Sequence, residues 1–303
     1  MAGRLMRAVV YEGYGGGAAK LKHVEVPIPS PRKDEVLLKM EATSVNPFDW
    51  KMQTGRMREN LKVGDKVVSV LSYGGGGGFS EYAVASKDLT VKRPPEVSAA
   101  EGAGLPIAGL TALQALTDSA RIKLDGTAKP TNILITAASG GVGHYAVQLA
   151  KLGNAHVTVT CGARNADFLK SLGADEVLNY NTAQGAALTS PSGKKYDYVI
   201  HCTTGIPFST FEPNLNRNGK VIDLTPGPRT MLNFVFQKFT FSKKQIVPLL
   251  VMPKSEKLEY MIELVKEGKL KTIIDSTHPL KKAEDAWEKS IDGHATGKII
   301  VEH

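Results

Sequence analysis

Ile133-Leu134-Ile135-Thr136-Ala137-Ala138-Ser139-Gly140-Gly141-Val142-Gly143-His144-Tyr145-Ala146-Val147-Gln148-Leu149-Ala150-Lys151-Leu152 is the stretch whose reading decides the fold. Its first three residues form a short apolar run of the kind that makes a buried strand, and from Val142 to Leu152 apolar side chains recur at helical spacing. Between them lies the small-residue turn Ala138-Ser139-Gly140-Gly141-Val142-Gly143. A glycine motif alone says little, but a strand before it and an amphipathic helix after it are the context that dinucleotide binding requires. Small residues at Ala138 and Gly140 let the turn bend and bring backbone N–H groups up to a pyrophosphate. Gly143 lets the helix pack on the strand, and the helix N-terminus adds its positive dipole. Ser139, Gly140, Gly141, Val142 and Gly143 are therefore the phosphate-binding candidates. A plain glycine-rich turn is the competing reading, and both flanks argue against it.

Downstream, the identity of the dinucleotide turns on the end of the next strand, about 20 residues on, where NAD-binding proteins carry Asp or Glu for the ribose diol. Here Thr158-Val159-Thr160 runs into Cys161-Gly162-Ala163-Arg164-Asn165, with no carboxylate. Gly162 leaves room, and the Arg164 guanidinium can fork onto a 2′-phosphate. NADPH is the expected cofactor, with a surface arginine at a helix start as the bland alternative. Strands and helices then alternate: strand 156–160, helix 166–172, strands 176–178, 196–202 and 219–224. That alternation is a doubly wound parallel sheet.

Upstream the pattern is short and β-like, at 8–11, 23–26, 35–40, 65–70, 80–84 and 89–92. It is broken by Gly15-Gly16-Gly17, the prolines at 27, 29 and 31, and the five glycines from Gly74 to Gly78. These segments predict an antiparallel barrel. A helix at 255–267, a strand at 272–274, a helix at 283–290 and a strand at 298–301 close the chain. The expected division is a barrel lobe of residues 1–108 and 270–303 around an α/β lobe of residues 109–269.

At 303 residues, 42% apolar and 22% charged, the chain suits two lobes with a cleft. No apolar run reaches the roughly 20 residues of a membrane span. The formal net charge of +8 favours anionic partners: phosphates, an acidic lipid surface or nucleic acid. Its lysines and arginines are dispersed, with doublets such as Lys194-Lys195 and Lys281-Lys282, so a solvated basic surface is favoured over a nucleic-acid-binding arm. Two cysteines, Cys161 and Cys202, exclude a disulfide framework and a thiolate zinc cluster, and no metal is expected. Met1 to Tyr11 has no apolar core or cleavage site of a secretory signal.

Together, Ser44-Val45-Asn46-Pro47-Phe48-Asp49-Trp50-Lys51, Val63-Gly64-Asp65-Lys66-Val67, Gly109-Leu110-Thr111-Ala112, the turn at 138–143, Leu172-Gly173-Ala174-Asp175 and Gly297-Lys298-Ile299-Ile300 are specific. The chain resembles the zinc-free quinone oxidoreductase branch of the medium-chain dehydrogenase/reductase superfamily over nearly its whole length. It is most similar to the plant chloroplast-envelope members, through 136–151 and the tail from Ala283-Glu284-Asp285-Ala286-Trp287 to Lys298. The resemblance implies a GroES-like β-barrel catalytic domain joined to a Rossmann cofactor domain. It implies NADPH-dependent reduction of the carbon–carbon double bond of α,β-unsaturated carbonyls, enones and long-chain oxylipin electrophiles among them. It implies a homodimer or homotetramer, attached peripherally to the chloroplast inner envelope without a cleaved transit peptide; a cytoplasmic location is the alternative.

By the same resemblance Asn46 stands where zinc-dependent relatives have a metal-binding cysteine, which removes the Lewis acid and places Asn46 beside the nicotinamide. Thr111 carries over as a second nicotinamide-side contact, Tyr180 as a contact to the adenosine phosphate, and Gly227 and Lys298 as weaker cofactor contacts. Asn46 also reads as a turn residue before Pro47, and Tyr180 as ordinary packing at a strand end. Hydride delivery to the β-carbon of an activated alkene leaves an enolate to be protonated. Tyr73 and Lys51 are the candidate donors to its oxygen, with an exposed loop position the plainer reading of each. The chain departs from the family between Arg58 and Val63, where members carry further barrel strands. Because loss of such strands exposes core edges, a chain break is expected near Glu59 to Leu61. Three other readings stay open: reduction of quinones with the same cofactor, a nucleotide- or RNA-binding protein, and a structural envelope protein that binds NADPH without turnover.

Overall fold

The computed structural model describes residues 4–11, 21–33, 35–44, 61–71 and 77–303. It divides into two compact units: Met1–Leu110 with Pro253–His303, and Thr111–Met252. In the first unit β1 (Leu5–Tyr11) pairs antiparallel with β2 (Leu21–Pro27), Leu5 opposite Pro27. Along β1 the side chains of Met6 and Ala8 are buried while Leu5 and Arg7 face outward, the period-two alternation of a half-buried strand. β3 (Glu35–Lys39) precedes β4 (Ala42–Ser44), β5 (Val67–Ser69), β6 (Tyr82–Ser86) and β7 (Thr90–Lys92). β3 pairs antiparallel with β6, and β5 with β7, so the expected antiparallel strands form as separate ribbons among the described residues. The break expected near Glu59 to Leu61 falls largely outside the described residues, as Glu59 and Asn60 do.

A capping box starts α1 (Ala99–Gly104): the Ser98 hydroxyl accepts the Glu101 N–H, and the Glu101 carboxylate accepts the Ser98 N–H. The helical path continues through a wide π turn at 105–109, α2 (Leu110–Gln114) and a second wide turn at 115–119.

The second unit alternates strand and helix in the order β8 (Thr131–Ile135), α3 (Gly143–Leu152), β9 (Ala155–Cys161), α4 (Ala166–Ser171), β10 (Glu176–Asn179), α5 (Ala183–Ala186), β11 (Tyr196–His201), α6 (Phe208–Phe211), β12 (Leu215–Asp223), α7 (Pro228–Phe239) and β13 (Gln245–Pro248). Its sheet is ordered β10-β9-β8-β11-β12-β13, with every pair parallel. This is the doubly wound arrangement, with a reversal of strand order between β8 and β11. Ile133, Leu134 and Ile135 are fully buried, because a parallel sheet covered on both faces demands continuous apolar strands. One core cluster gathers Leu134, Leu178, Tyr196, Val199, Phe211 and Val221, each worth roughly 1.5–3 kcal/mol on burial.

The chain then returns to the first unit as α8 (Ser255–Lys266), β14 (Ile274–Pro279), α9 (Ala283–Asp292) and β15 (Lys298–Glu302). β15 lies between β14 and β4. Residues 253–269, grouped with the middle lobe by their sequence pattern, sit in the first unit. There α8 buries Leu258, Met261, Ile262, Leu264 and Val265, and Met261 reaches the bare backbone of Gly109. The strand read at 272–274 begins at Ile274 and runs to Pro279, and the helix read from Val142 begins at Gly143 with Val142 as its cap.

Candidate functional site

The candidate phosphate-binding turn forms where β8 ends. Thr136 donates its backbone N–H to Ile200 at 3.1 Å, and Ala137 takes a left-handed φ of 47°. The turn is tied to β9: the Ala138 N–H reaches the Thr160 carbonyl at 3.0 Å and the Ala137 N–H the Thr160 hydroxyl at 3.1 Å. It then closes on itself through the Gly140 N–H to the Ala137 carbonyl at 3.0 Å. A Cβ at Gly143 would stand 2.5 Å from the Ala138 Cα and 2.6 Å from the Ala137 carbonyl oxygen, so α3 can approach the turn only with glycine here.

What remains is a set of unanswered donors. Among the described residues, the backbone N–H groups of Ser139, Gly141, Val142 and Gly143 meet no hydrogen-bond acceptor. They stand at the N-terminus of a ten-residue helix with no side-chain cap. Free amides together with the helix dipole attract an anion, and a pyrophosphate is the group that such a turn fits.

At the ends of β9 and β10 the structure brings together Gly162 and Tyr180, far apart in sequence. A Cβ on Gly162 would lie 3.1 Å from the Tyr180 hydroxyl, and the Tyr180 N–H bonds the Cys161 carbonyl at 3.2 Å. Tyr180 is half exposed, and Arg164 is exposed in the short helical turn that follows Gly162. Gly162, Arg164 and Tyr180 thus gather at the carboxyl edge of the sheet, where α/β sheets take their ligands.

A third group at this edge escaped the sequence reading. His201 ends β11, is buried, and its Nδ1 lies 3.0 Å from the Thr136 hydroxyl, which accepts the Cys202 N–H at 3.0 Å. The hydroxyl therefore ties β8 to β11 at the point where strand order reverses. Burial pushes the imidazole below its ordinary range, and the Asp223 carboxylate opposes that only in part. Asp223 is itself buried, accepting the Thr225 N–H at 3.0 Å and the Thr230 hydroxyl at 2.6 Å. The residues concerned lie 65 positions apart, and in sequence the only hint was a polar residue closing each apolar strand.

Of the remaining candidates, Asn46, Lys51 and Tyr73 lie outside the described residues. Thr111 is buried in α2 of the second unit, and Gly227 caps α7 with open space around its Cα. Lys298 is buried at the start of β15 in the first unit, its N–H bonding the Ile273 carbonyl at 2.7 Å. Among the described residues no three His, Cys, Asp or Glu side chains cluster as a metal site would need.

The zinc-binding dehydrogenase family model matches residues 172–301. A chloroplast envelope quinone oxidoreductase homolog of Arabidopsis thaliana is 65% identical, with all of both chains covered. That alignment has 328 positions, 25 more than the 303 residues of this chain. An NADPH-dependent alkenal/one oxidoreductase of the same plant is 26% identical over 98% of this chain and 79% of its own length. Among solved structures, the quinone oxidoreductase from Coxiella burnetii superposes with a TM-score of 0.84 at 29% identity, covering 99% of this chain and all of its own.

Proposed function

This chain belongs to the quinone oxidoreductase homologues of the medium-chain dehydrogenase/reductase superfamily, and from that premise we propose that it is an NADPH-dependent reductase of the carbon–carbon double bond of α,β-unsaturated carbonyls. The observation that carries the cofactor is the turn after β8, with four free amides at the start of α3. NADPH, when bound, supplies the hydride. Ser139, Gly140, Gly141, Val142 and Gly143 hold the pyrophosphate; Gly162, Arg164 and Tyr180 meet the 2′-phosphate side, where no carboxylate repels it. Asn46 and Thr111 serve the nicotinamide end, Gly227 and Lys298 are lesser contacts, and Tyr73 and Lys51 are the candidate donors to the substrate oxygen. The chain's contribution to rate is position and electrostatics.

An enone or long-chain oxylipin electrophile is the proposed substrate, supported by the alkenal/one relative. Quinone reduction is the second reading, favoured by the names of the 65% identical relative and of the Coxiella structure. We place the protein in the chloroplast, following its envelope relative, and carry over from the family resemblance a homodimer or homotetramer held peripherally at the inner envelope. Among the described residues no helix is long and apolar enough to cross a membrane. The deciding experiment follows NADPH oxidation with an enone, a long-chain oxo-fatty acid and a simple quinone. Turnover of the first two above the third supports the proposal, and quinone alone supports the second reading. Tight NADPH binding without turnover of any would sink both and leave a binding or structural role.

A further inference from the structure

The Gly140 carbonyl is held twice by one residue. His144, in the first turn of α3, donates its backbone N–H to that oxygen at 3.2 Å, and its ring Nδ1 lies 2.9 Å from the same atom. A carbonyl oxygen can only accept, so Nδ1 carries the proton and the tautomer is fixed. The imidazole is fully buried and lies against the Tyr145 ring, centroids 3.9 Å apart, so packing holds the donor in place. The backbone bond alone already satisfies the carbonyl, and an apolar side chain would fill the space without a polar group to bury. A histidine here therefore supplies orientation to this peptide unit rather than a missing partner.

Orientation is at stake because the unit lies between two glycines. Glycine populates positive φ about as readily as negative, so Gly140-Gly141 offers little resistance to a peptide flip. Neither glycine has a positive φ, and a flip would carry Gly141 there. In a planar trans peptide the C=O and N–H point in opposite directions. With the Gly140 carbonyl drawn in towards α3, the Gly141 N–H is turned outward, to stand among the four free amides at the helix start. A flip would replace that donor with a carbonyl oxygen and set its partial negative charge against the pyrophosphate.

We infer that His144 is a positioning residue for the cofactor: its Nδ1–H locks the Gly140-Gly141 peptide with the Gly141 amide facing the pyrophosphate. This rests on the NADPH reading and deepens it. Two variants separate orientation from packing. H144F keeps a ring and loses the donor. H144N leaves a gap, but its amide Nδ2 stands the same number of bonds along the side chain as Nδ1 and can donate to the same carbonyl. Affinity for NADPH is measured by fluorescence titration, and for adenosine 2′-monophosphate, which has no pyrophosphate, by competition. H144F should weaken NADPH about tenfold and adenosine 2′-monophosphate less than about twofold, and H144N should recover most of the loss. NADPH bound as tightly by H144F as by the wild-type chain would overturn the assignment. So would both ligands weakened alike, or H144N no better than H144F, since packing would then be the cause. A wild-type chain that binds no NADPH would instead overturn the cofactor reading on which the assignment rests.

Discussion

Alanine at Gly143 would carry a Cβ 2.5 Å from the Ala138 Cα, 2.6 Å from the Ala137 carbonyl oxygen and 2.7 Å from the Ala138 carbonyl carbon. Carbon atoms in contact prefer roughly 3.5–4.0 Å, so turn and helix would have to part by about 1 Å. All three obstructing atoms are backbone, and the turn is pinned to β9 through the bonds to Thr160. The movement therefore falls on α3, whose Tyr145, Ala146, Val147, Leu149 and Ala150 are fully buried. Forcing a methyl into such packing costs about 1–3 kcal/mol, more than the roughly 1 kcal/mol alanine gains over glycine in a helix. At about 2–4 °C per kcal/mol, G143A should melt several degrees below wild type. Displaced amides should also weaken NADPH binding at least about tenfold. Gly140 provides the contrast, because a Cβ there meets only the Ala137 carbonyl oxygen, at 3.3 Å. Thermal melting by circular dichroism and titration of NADPH fluorescence read both effects. If G143A melts with wild type and binds NADPH as tightly, close approach of helix and turn is not why glycine stands there.

R164D should move cofactor preference from NADPH towards NADH by about tenfold or more in kcat/KM, and an unchanged preference would remove Arg164 from the 2′-phosphate site. T136V leaves the Cys202 N–H without its acceptor and His201 Nδ1 without its partner, which should lower stability by about 1–3 kcal/mol in urea unfolding; T136S should restore most of it. A valine variant as stable as wild type would show that this tie contributes nothing. Burial pushes the Glu176 carboxyl upward, but hydrogen bonds from Ser190, Ser192, Thr158 and His156 outweigh it and hold the group at about 2 against an ordinary 4.5. A carboxyl depressed in the folded state stabilises above the unfolded value, and that contribution, about 3 kcal/mol, fades as pH falls from 4.5 towards 2. E176Q should flatten the pH dependence of urea midpoints across that window, and a wild-type slope in E176Q would rule out Glu176 as its source.

Local order in the chain sufficed for the glycine-rich turn and the parallel sheet. An apolar run, small residues and a helical repeat lie within twenty positions, and each is dictated by its own neighbours. The absence of a carboxylate after β9, with Arg164 in its place, was equally local. Strand β13, four residues long, escaped notice, and so did α7 and the outward facing of its apolar residues. Periodicity shows that a helix has an apolar stripe but not which way the stripe faces.

The sequence by itself thus determined a dinucleotide fold whose β9 runs into Arg164 with no carboxylate, since those depend on backbone freedom and charge at adjacent residues. Only the tertiary structure decided that Tyr180 closes over Gly162, that Thr136 ties His201 and Cys202 at the strand-order reversal, and that α7 presents phenylalanines to solvent. Each joins or orients groups from separate strands and helices, and only the register of the folded sheet sets which of them meet.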